Sequence, residues 1–264
     1  MRIKGTRVLI TGATGGIGHA ITRAVAARGG QPVVTGRRVD ALEALAAETG
    51  AVAIAADLAD RDGVAKLLAE VGQVDVVVAN AALPASGLLT DFTVEQIDRT
   101  LDVNLRAPIL TARLLAEPLA AQGRGHLVFL SSIAGKVASP GASLYNATKF
   151  GVRGFAQALR QDLAPAGVGV STVFPGFVRD AGMFADAGVA APPGVGTSSP
   201  EDVAAAVVVR AVERDLGEVD VASPQMRVAA RFAGVAPGLT ARIQRWAGAG
   251  ALSAKLADGQ RAKR

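Results

Sequence analysis

Tyr145 and Lys149 stand four residues apart, and Ser132 precedes the tyrosine by thirteen positions. A free phenol has a pKa near ~10 and is a poor base at neutral pH. An ammonium beside it favours the phenolate and lowers that value, so Tyr145 could then take up or release a proton. The spacing puts both side chains on one face of a predicted helix. Ser132 ends a predicted strand, where its hydroxyl can hold a substrate oxygen as negative charge gathers there. A lone Y-x-x-x-K is more often an exposed helix pair. The serine at this spacing, with a glycine loop far upstream, makes it a candidate catalytic set.

The loop reads Thr11-Gly12-Ala13-Thr14-Gly15-Gly16-Ile17-Gly18. It joins a predicted strand to a predicted helix, where free N–H groups and the positive helix end can receive a pyrophosphate. Missing Cβ atoms let the chain turn and approach the phosphates. The spacing G-x-x-x-G-x-G differs from the G-x-G-x-x-G fingerprint, and no Lys-Ser/Thr follows as a P-loop requires. The rival reading is a tight turn with no ligand.

The second predicted strand ends in Thr35-Gly36-Arg37-Arg38. A site selective for NAD places a carboxylate there to hold the ribose diol. Here no acid stands to repel a 2′-phosphate. Arg37 can bind that phosphate through forked donors, and Arg38 either joins it or starts a helix in solvent. NADP(H) is the expected cofactor. Asp57 and Leu58 follow the third strand. Asp57 could accept from an adenine amine or cap the next helix, a task Asp60 could equally perform. Asn80 ends the fourth strand, where cofactor loops lie. A dinucleotide cradle with a titratable phenol implies a redox enzyme that exchanges a hydride and a proton with a carbonyl or alcohol.

Short apolar runs must position these residues, at 7–11, 33–35, 52–55, 74–79, 126–130, 168–174 and 219–221. Each is rich in β-branched residues and separated from the next by enough chain for a crossover helix. Helical spacing covers 16–28, 39–48, 62–71, 94–121, 143–164 and 200–214, with Pro108 and Pro118 expected to bend or divide the fourth. The alternation predicts an α/β fold, a doubly wound parallel sheet of the Rossmann kind with about seven strands and helices on both faces. Residues 179–199 fall outside it. They are rich in Gly, Ala and Pro, with Met183, Phe184, Pro192 and Pro193, and read as a lid or substrate loop.

Half of the 264 residues are apolar and 4% are aromatic, which suits Val-rich strands under closely packed Ala-rich helices. With no cysteine, disulfides and thiolate metal sites are excluded, and His19 and His126 alone make a histidine metal centre a poor fit. Both histidines read as surface or packing residues, and no metal is expected. The first apolar run ends in the glycine loop, so it reads as a strand and not a secretory signal. No apolar stretch of about eighteen residues occurs, and a cytoplasmic protein is the expectation.

The net charge of +5 is unevenly placed. Residues 224–264 hold eight Lys/Arg and one acid, while 1–223 hold twenty basic and twenty-two acidic residues. The basic excess therefore belongs to the tail, and nucleic-acid binding by the body is not expected. The division suggests a catalytic domain over 1–223 and a basic helical extension over 224–264. In the extension Leu239, Ile243 and Trp246 share a helical face beside Arg242 and Arg245. That face either docks on an anionic membrane or covers the body or a partner subunit. Gly234, Gly238, Gly248 and Gly250 interrupt it and favour the covering role.

With these residues in view, the chain resembles the short-chain dehydrogenase/reductase superfamily from about residue 6 to about residue 221. Thr11–Gly18 matches its T-G-x-x-x-G-x-G, and Tyr145-Asn146-Ala147-Thr148-Lys149 matches its Y-x-x-x-K. The resemblance implies that Tyr145 is the general acid/base and that Ser132 orients the substrate. It implies that Lys149 lowers the tyrosine pKa and binds the nicotinamide ribose. Asn104, in Asp102-Val103-Asn104-Leu105, matches the residue that positions a proton-relay water. From the sequence alone it would be a polar helix residue bonded to local backbone. Pro175-Gly176-Phe177-Val178 matches a P-G-x-V turn that flanks the nicotinamide. Two motifs depart from the pattern. Ala79-Asn80-Ala81-Ala82 stands for N-N-A-G, and Asp180 stands where a threonine is usual. A carboxylate there could accept from the carboxamide amine but would lie close to the pyrophosphate.

The resemblance further implies carbonyl reduction and a homo-oligomer built through the helix that carries the tyrosine. Met183, Phe184, Val189 and Val195 suggest an apolar ketone or secondary alcohol as substrate. The alternative is a non-catalytic NADP(H) sensor or scaffold on the same fold. Such a protein would not need Asn104, Ser132, Tyr145 and Lys149 together. A serine hydrolase would need a G-x-S-x-G elbow, which the sequence lacks.

Overall fold

Every apolar run becomes a strand: β1 (Arg7–Thr11), β2 (Gln31–Gly36), β3 (Val52–Ala55), β4 (Val76–Ala79), β5 (Gly125–Leu130), β6 (Val168–Pro175) and β7 (Glu218–Val221). The structure is a computed structural model and describes residues 1–189, 191 and 195–261. The strands pair in parallel in one seven-stranded sheet of order β3-β2-β1-β4-β5-β6-β7. Parallel neighbours need crossovers, and the helices provide them. They are α1 (Gly16–Ala27), α2 (Val39–Thr49), α3 (Gly63–Val71), α4 (Val94–Leu101), α5 (Ala107–Gln122), α6 (Ser143–Leu163), α7 (Gly182–Asp186), α8 (Pro200–Ala205), α9 (Pro224–Val235), α10 (Pro237–Trp246) and α11 (Ala249–Gln260).

Side-chain alternation along each strand feeds two cores. Val8, Ile10, Val76, Val78, Val128 and Leu130 pack with Ile21 and Val25 of α1 and Val203 of α8. Leu9, Val77, Leu127 and Phe129 point the other way, onto Leu67 of α3, Leu119 of α5 and Val152 of α6. Burying each such side chain contributes roughly 1.5–3 kcal/mol. The sheet is therefore covered on both faces and rigid where the strands end.

The helix expected over 94–121 breaks, although not at a proline. A π-turn over Asp102–Arg106 separates α4 from α5. Pro108 falls in the first turn of α5, directly after the π-turn. Pro118 lies inside α5 and the helix continues through it. The freed carbonyl is that of Leu114, an exposed residue, so solvent can satisfy it. A second π-turn, Ala206–Glu213, continues α8. No helix among the described residues is long and apolar enough to cross a membrane.

The chain winds from β1 outward to β3, then returns to place β4 on the other side of β1. At that reversal the connections leave in opposite directions and open a crevice beyond the carboxyl ends of the strands. The glycine loop, Arg37, Asp57, Asn80, Ser132 and Gly176 each follow a strand at that edge.

Candidate active site

The crevice is a cleft of about 1040 Å³. Its walls include Gly12, Thr14, Gly15, Gly16, Ile17 and Gly18 of the loop, Arg37 and Arg38 beyond β2, and Asp57 and Leu58 beyond β3. Asn80 follows, then Ser132, Tyr145, Lys149, Pro175, Gly176 and Val178. Asn104 does not line it.

The loop can turn only because of its glycines at two places. Gly12 has φ +64°, and a Cβ there would stand 2.7 Å from the Ala81 Cα. At Gly18 a Cβ would run into the Gly12 carbonyl and stand 2.7 Å from the Ala13 Cα. No side chain caps the N terminus of α1, and its first turn holds no acid. Its amide donors and positive end thus face the cleft without a protein carboxylate to neutralise them. That arrangement fits the pyrophosphate of a dinucleotide.

Asn80 braces this loop. Its Nδ2 donates to the Thr11 carbonyl at 3.0 Å and the Gly12 carbonyl at 3.1 Å. The Thr11 hydroxyl accepts from the Asn80 and Ala81 amides at 3.1 and 3.0 Å. Ala81, which matches the alanine of N-N-A-G, is the residue that packs against Gly12.

At the far end Arg38 donates to the Thr14 carbonyl, so it is tied to the loop and is not simply a solvated helix start. Arg37 lines the cleft as an exposed guanidinium. Asp57 holds the Ala59 amide at 3.0 Å through Oδ1 and the Arg99 guanidinium at 2.9 Å through Oδ2. Burial raises its carboxyl pKa, but the Ala59 amide, Arg99 and Arg37 outweigh this and hold it below the usual range. Asp57 does not cap α3, whose N-cap position is Asp62, and Arg99, which also lines the cleft, competes for its other expected use. The adjacent Asp60 accepts from the Asp62 amide at 3.2 Å. Arg99 lies 42 residues from Asp57 and gave no motif, so only the folded chain reveals it.

The catalytic candidates meet at the centre. Ser132 Oγ accepts from the Ala134 amide at 3.2 Å and donates to the Pro175 carbonyl at 3.5 Å, and Tyr145 lines the same part of the cleft. Lys149 is buried, and its Nζ donates to the Leu130 carbonyl at 2.9 Å, 5.6 Å from the Tyr145 ring centroid. Asn146, between them in sequence, donates to the Ala134 and Val137 carbonyls at 2.6 and 3.0 Å and fixes the loop after Ser132.

In this structure burial outweighs the expected lowering of the tyrosine pKa by lysine. Burial pushes the Tyr145 phenol up to about 12, against the opposing effect of the Ser132 hydroxyl. Burial likewise pushes Lys149 down to about 8. Withdrawing a phenolate from water outweighs the attraction of an ammonium that is engaged elsewhere. The phenol therefore keeps its proton at neutral pH, and donating it requires the charge left behind to be offset nearby.

Asn104 sits in the π-turn, buried, with Oδ1 accepting from the Leu83 amide at 2.6 Å and Nδ2 donating to the Leu83 carbonyl at 2.9 Å. Its partner is distant backbone, not the local backbone a helix residue would use. It anchors Leu83 where that residue lines the cleft. Asp180 has φ +64° and an exposed side chain near Arg179, and it does not line the cleft. The structure therefore offers no carboxylate for a carboxamide there.

In the expected lid, Met183 and Phe184 of α7 line the cleft beside Phe177, whose ring centroid is 4.6 Å from that of Phe184. Val189 and Val195 do not line it. Pro192 and Pro193 lie outside the described residues. The tail completes the wall. Met226 of α9, Gln244 of α10, and Leu252, Ser253, Leu256 and Gln260 of α11 all face the cleft. Gln260 donates to the Met183 carbonyl at 3.2 Å. Their spacing along α11 is that of one helical face, a signal present in the sequence that named no partner.

His19 is half-buried on α1, and its pKa is lowered by burial and by Arg23. His126 is buried beneath β6, 2.8 Å from the Ser171 hydroxyl. Neither lines the cleft, and no cluster of metal-ligating side chains occurs among the described residues.

A dinucleotide cradle at the switch point of a parallel sheet, with a serine, tyrosine and lysine beside it, defines a class of nucleotide-dependent oxidoreductases. The family model for short chain dehydrogenase matches residues 6–189, and the chain belongs to the short-chain dehydrogenase/reductase superfamily. The ketoacyl reductase HetN of Nostoc sp. is 32% identical over 97% of this chain and 94% of its own. A short-chain dehydrogenase from Sphingobium yanoikuyae, solved in complex with NADPH, superposes with a TM-score of 0.76 at 29% identity, covering 87% of this chain and 92% of that one. A metagenomic short-chain oxidoreductase in complex with NADP gives a TM-score of 0.68 at 31% identity, over 83% and 96%.

Proposed function

We propose that this protein is an NADPH-dependent reductase of apolar ketones, with Ser132, Tyr145 and Lys149 as its catalytic set. The observation that carries the reading is the convergence of these three side chains in the one cleft that also holds the uncapped end of α1. NADPH supplies the hydride when bound. Ser132 holds the carbonyl oxygen, and Tyr145 gives that oxygen its proton. The Lys149 ammonium offsets the charge left on the phenol and offers donors to the nicotinamide ribose. Asn104 acts as a positioning residue through Leu83. The alternative, a cofactor sensor, leaves these groups without a task.

Preference for NADP(H) is supported by Arg37 and Arg38 on the cleft wall, with no acid between β2 and α2 to repel a 2′-phosphate. The NADPH and NADP complexes of the two structural relatives support it too. Asp57, held by Arg99, and Leu58 would border the adenine, and Pro175, Gly176 and Val178 the nicotinamide. An apolar substrate is supported by Phe177, Met183, Phe184, Leu252 and Leu256 around the catalytic end. Phe150 of α6 and Leu114 of α5 remain exposed, which supports association of copies through the tyrosine-bearing helix.

The experiment follows the absorbance of the reduced nicotinamide with a panel of apolar ketones, using NADPH and NADH in parallel. NADPH should bind at least about tenfold more tightly, and Arg37→Glu should remove most of that preference. Tighter NADH binding would reject the cofactor assignment. Absence of turnover with every ketone would favour the sensor.

A further inference from the structure

The outer surface of the tail carries a pattern that the cleft does not use. On α9, Val228, Phe232 and Val235 follow one another at spacings of four and three, and on α10 Leu239, Ile243 and Trp246 do the same. Each row lies on one side of its helix. All six side chains are exposed, with Val228 at 66%, Val235 at 87% and Trp246 at 91%. Four of them directly follow an arginine: Arg227-Val228, Arg231-Phe232, Arg242-Ile243 and Arg245-Trp246. These arginines make no ion pair among the described residues.

The opposite side of α9 is anchored, whereas α10 has no fully buried residue. Ala230 and Ala233 are buried, Met226 and Gln244 face the cleft, and α9 packs on α10. Ser223 starts α9 by accepting from the Met226 amide at 3.4 Å. Gly234 and Gly238 lie inside α9 and α10, and only Gly248 falls between helices, so neither row is broken. Large apolar side chains held in water at this density mark a contact surface.

We propose that the outer face of α9 and α10 docks on a bilayer containing anionic lipid. The six apolar side chains enter the boundary between headgroups and acyl chains, and the four arginines pair with lipid phosphates. A second copy of the chain fits poorly, because a twofold contact would set arginine against arginine. The charge pattern chooses the partner. In the sequence the glycines favour covering over docking, with both roles open. The folded tail does both, with α11 closing the cleft and α9 and α10 presenting the free face.

Truncation at residue 223 would strip the cleft of a wall, so point variants are the proper test. Trp246 is the chain's only tryptophan, and its emission reports the face directly. With vesicles of phosphatidylcholine and phosphatidylglycerol, emission should shift to shorter wavelength and become shielded from an aqueous quencher. With phosphatidylcholine alone, neither change should occur. Arg242→Glu with Arg245→Glu should lower vesicle partitioning by roughly twentyfold or more, at about fivefold per charge. NADPH binding by that variant should stay unchanged, which shows that it folds. Unshifted emission with anionic vesicles would overturn the proposal. So would a blue shift that appears without lipid and disappears on dilution, since that would identify a second copy as the occupant.

Discussion

Tyr145 and Lys149 show how burial sets the direction of a proton. The phenol is raised to about 12 and the amine lowered to about 8, both by loss of water. Between those values the tyrosine keeps its proton while the lysine gives up its charge. In ketone reduction the phenol leaves as phenolate, so the reaction needs the ammonium nearby. We expect kcat/KM for reduction to be level below about pH 8 and to fall above it as Lys149 deprotonates, because this ratio reports the free enzyme. A profile that stays level to about pH 10 would show that the lysine charge plays no part. The sequence displayed these residues and their spacing. It could not display the sign of the tyrosine shift, because desolvation depends on what packs around the ring. Nor could it display Arg99, whose tie to Asp57 spans 42 positions.

At the level of elements, short apolar runs rich in β-branched residues were enough to predict each strand, since a sheet covered on both faces needs apolar side chains on both. The break after α4 was harder. Prolines suggested a place for it, yet the π-turn lies where Asn104 reaches Leu83, and no local pattern announces that bond. The role of α11 was hidden for the same reason: a helical face is legible, its target is not. Gly259 of α11 sits where a Cβ would stand 2.5 Å from the Ala187 carbonyl and 2.7 Å from its Cα. Gly259→Ala should therefore push α11 off the cleft, although alanine itself favours helix by roughly 0.8–1 kcal/mol. The KM for a bulky ketone should change several-fold while the NADPH dissociation constant stays level. An unchanged KM would mean that α11 does not border the substrate.

Across the whole molecule, stability carries its own pH signature. His126 is buried, and burial lowers its pKa from 6.5 to about 4, with Asp215 opposing and Arg160 assisting. The unfolded chain takes up a proton near 6.5 that the folded chain refuses until about 4. Stability from the neutral imidazole is thus full above 6.5 and lost as pH falls through that window. We expect about 2 kcal/mol less stability at about pH 5 than at about pH 7, read from urea midpoints. His126→Gln should flatten that slope. A slope equal to that of the parent chain would place the pH dependence elsewhere.

In the proposed reaction Tyr145 delivers the proton to a substrate oxygen held in the cleft. Tyr145→Phe removes one hydroxyl and leaves the ring that packs there. Measured with saturating NADPH and a reducible ketone, kcat should fall by roughly 10²–10⁴-fold while the NADPH dissociation constant stays within about twofold. A variant that turns over at the parent rate would contradict the account.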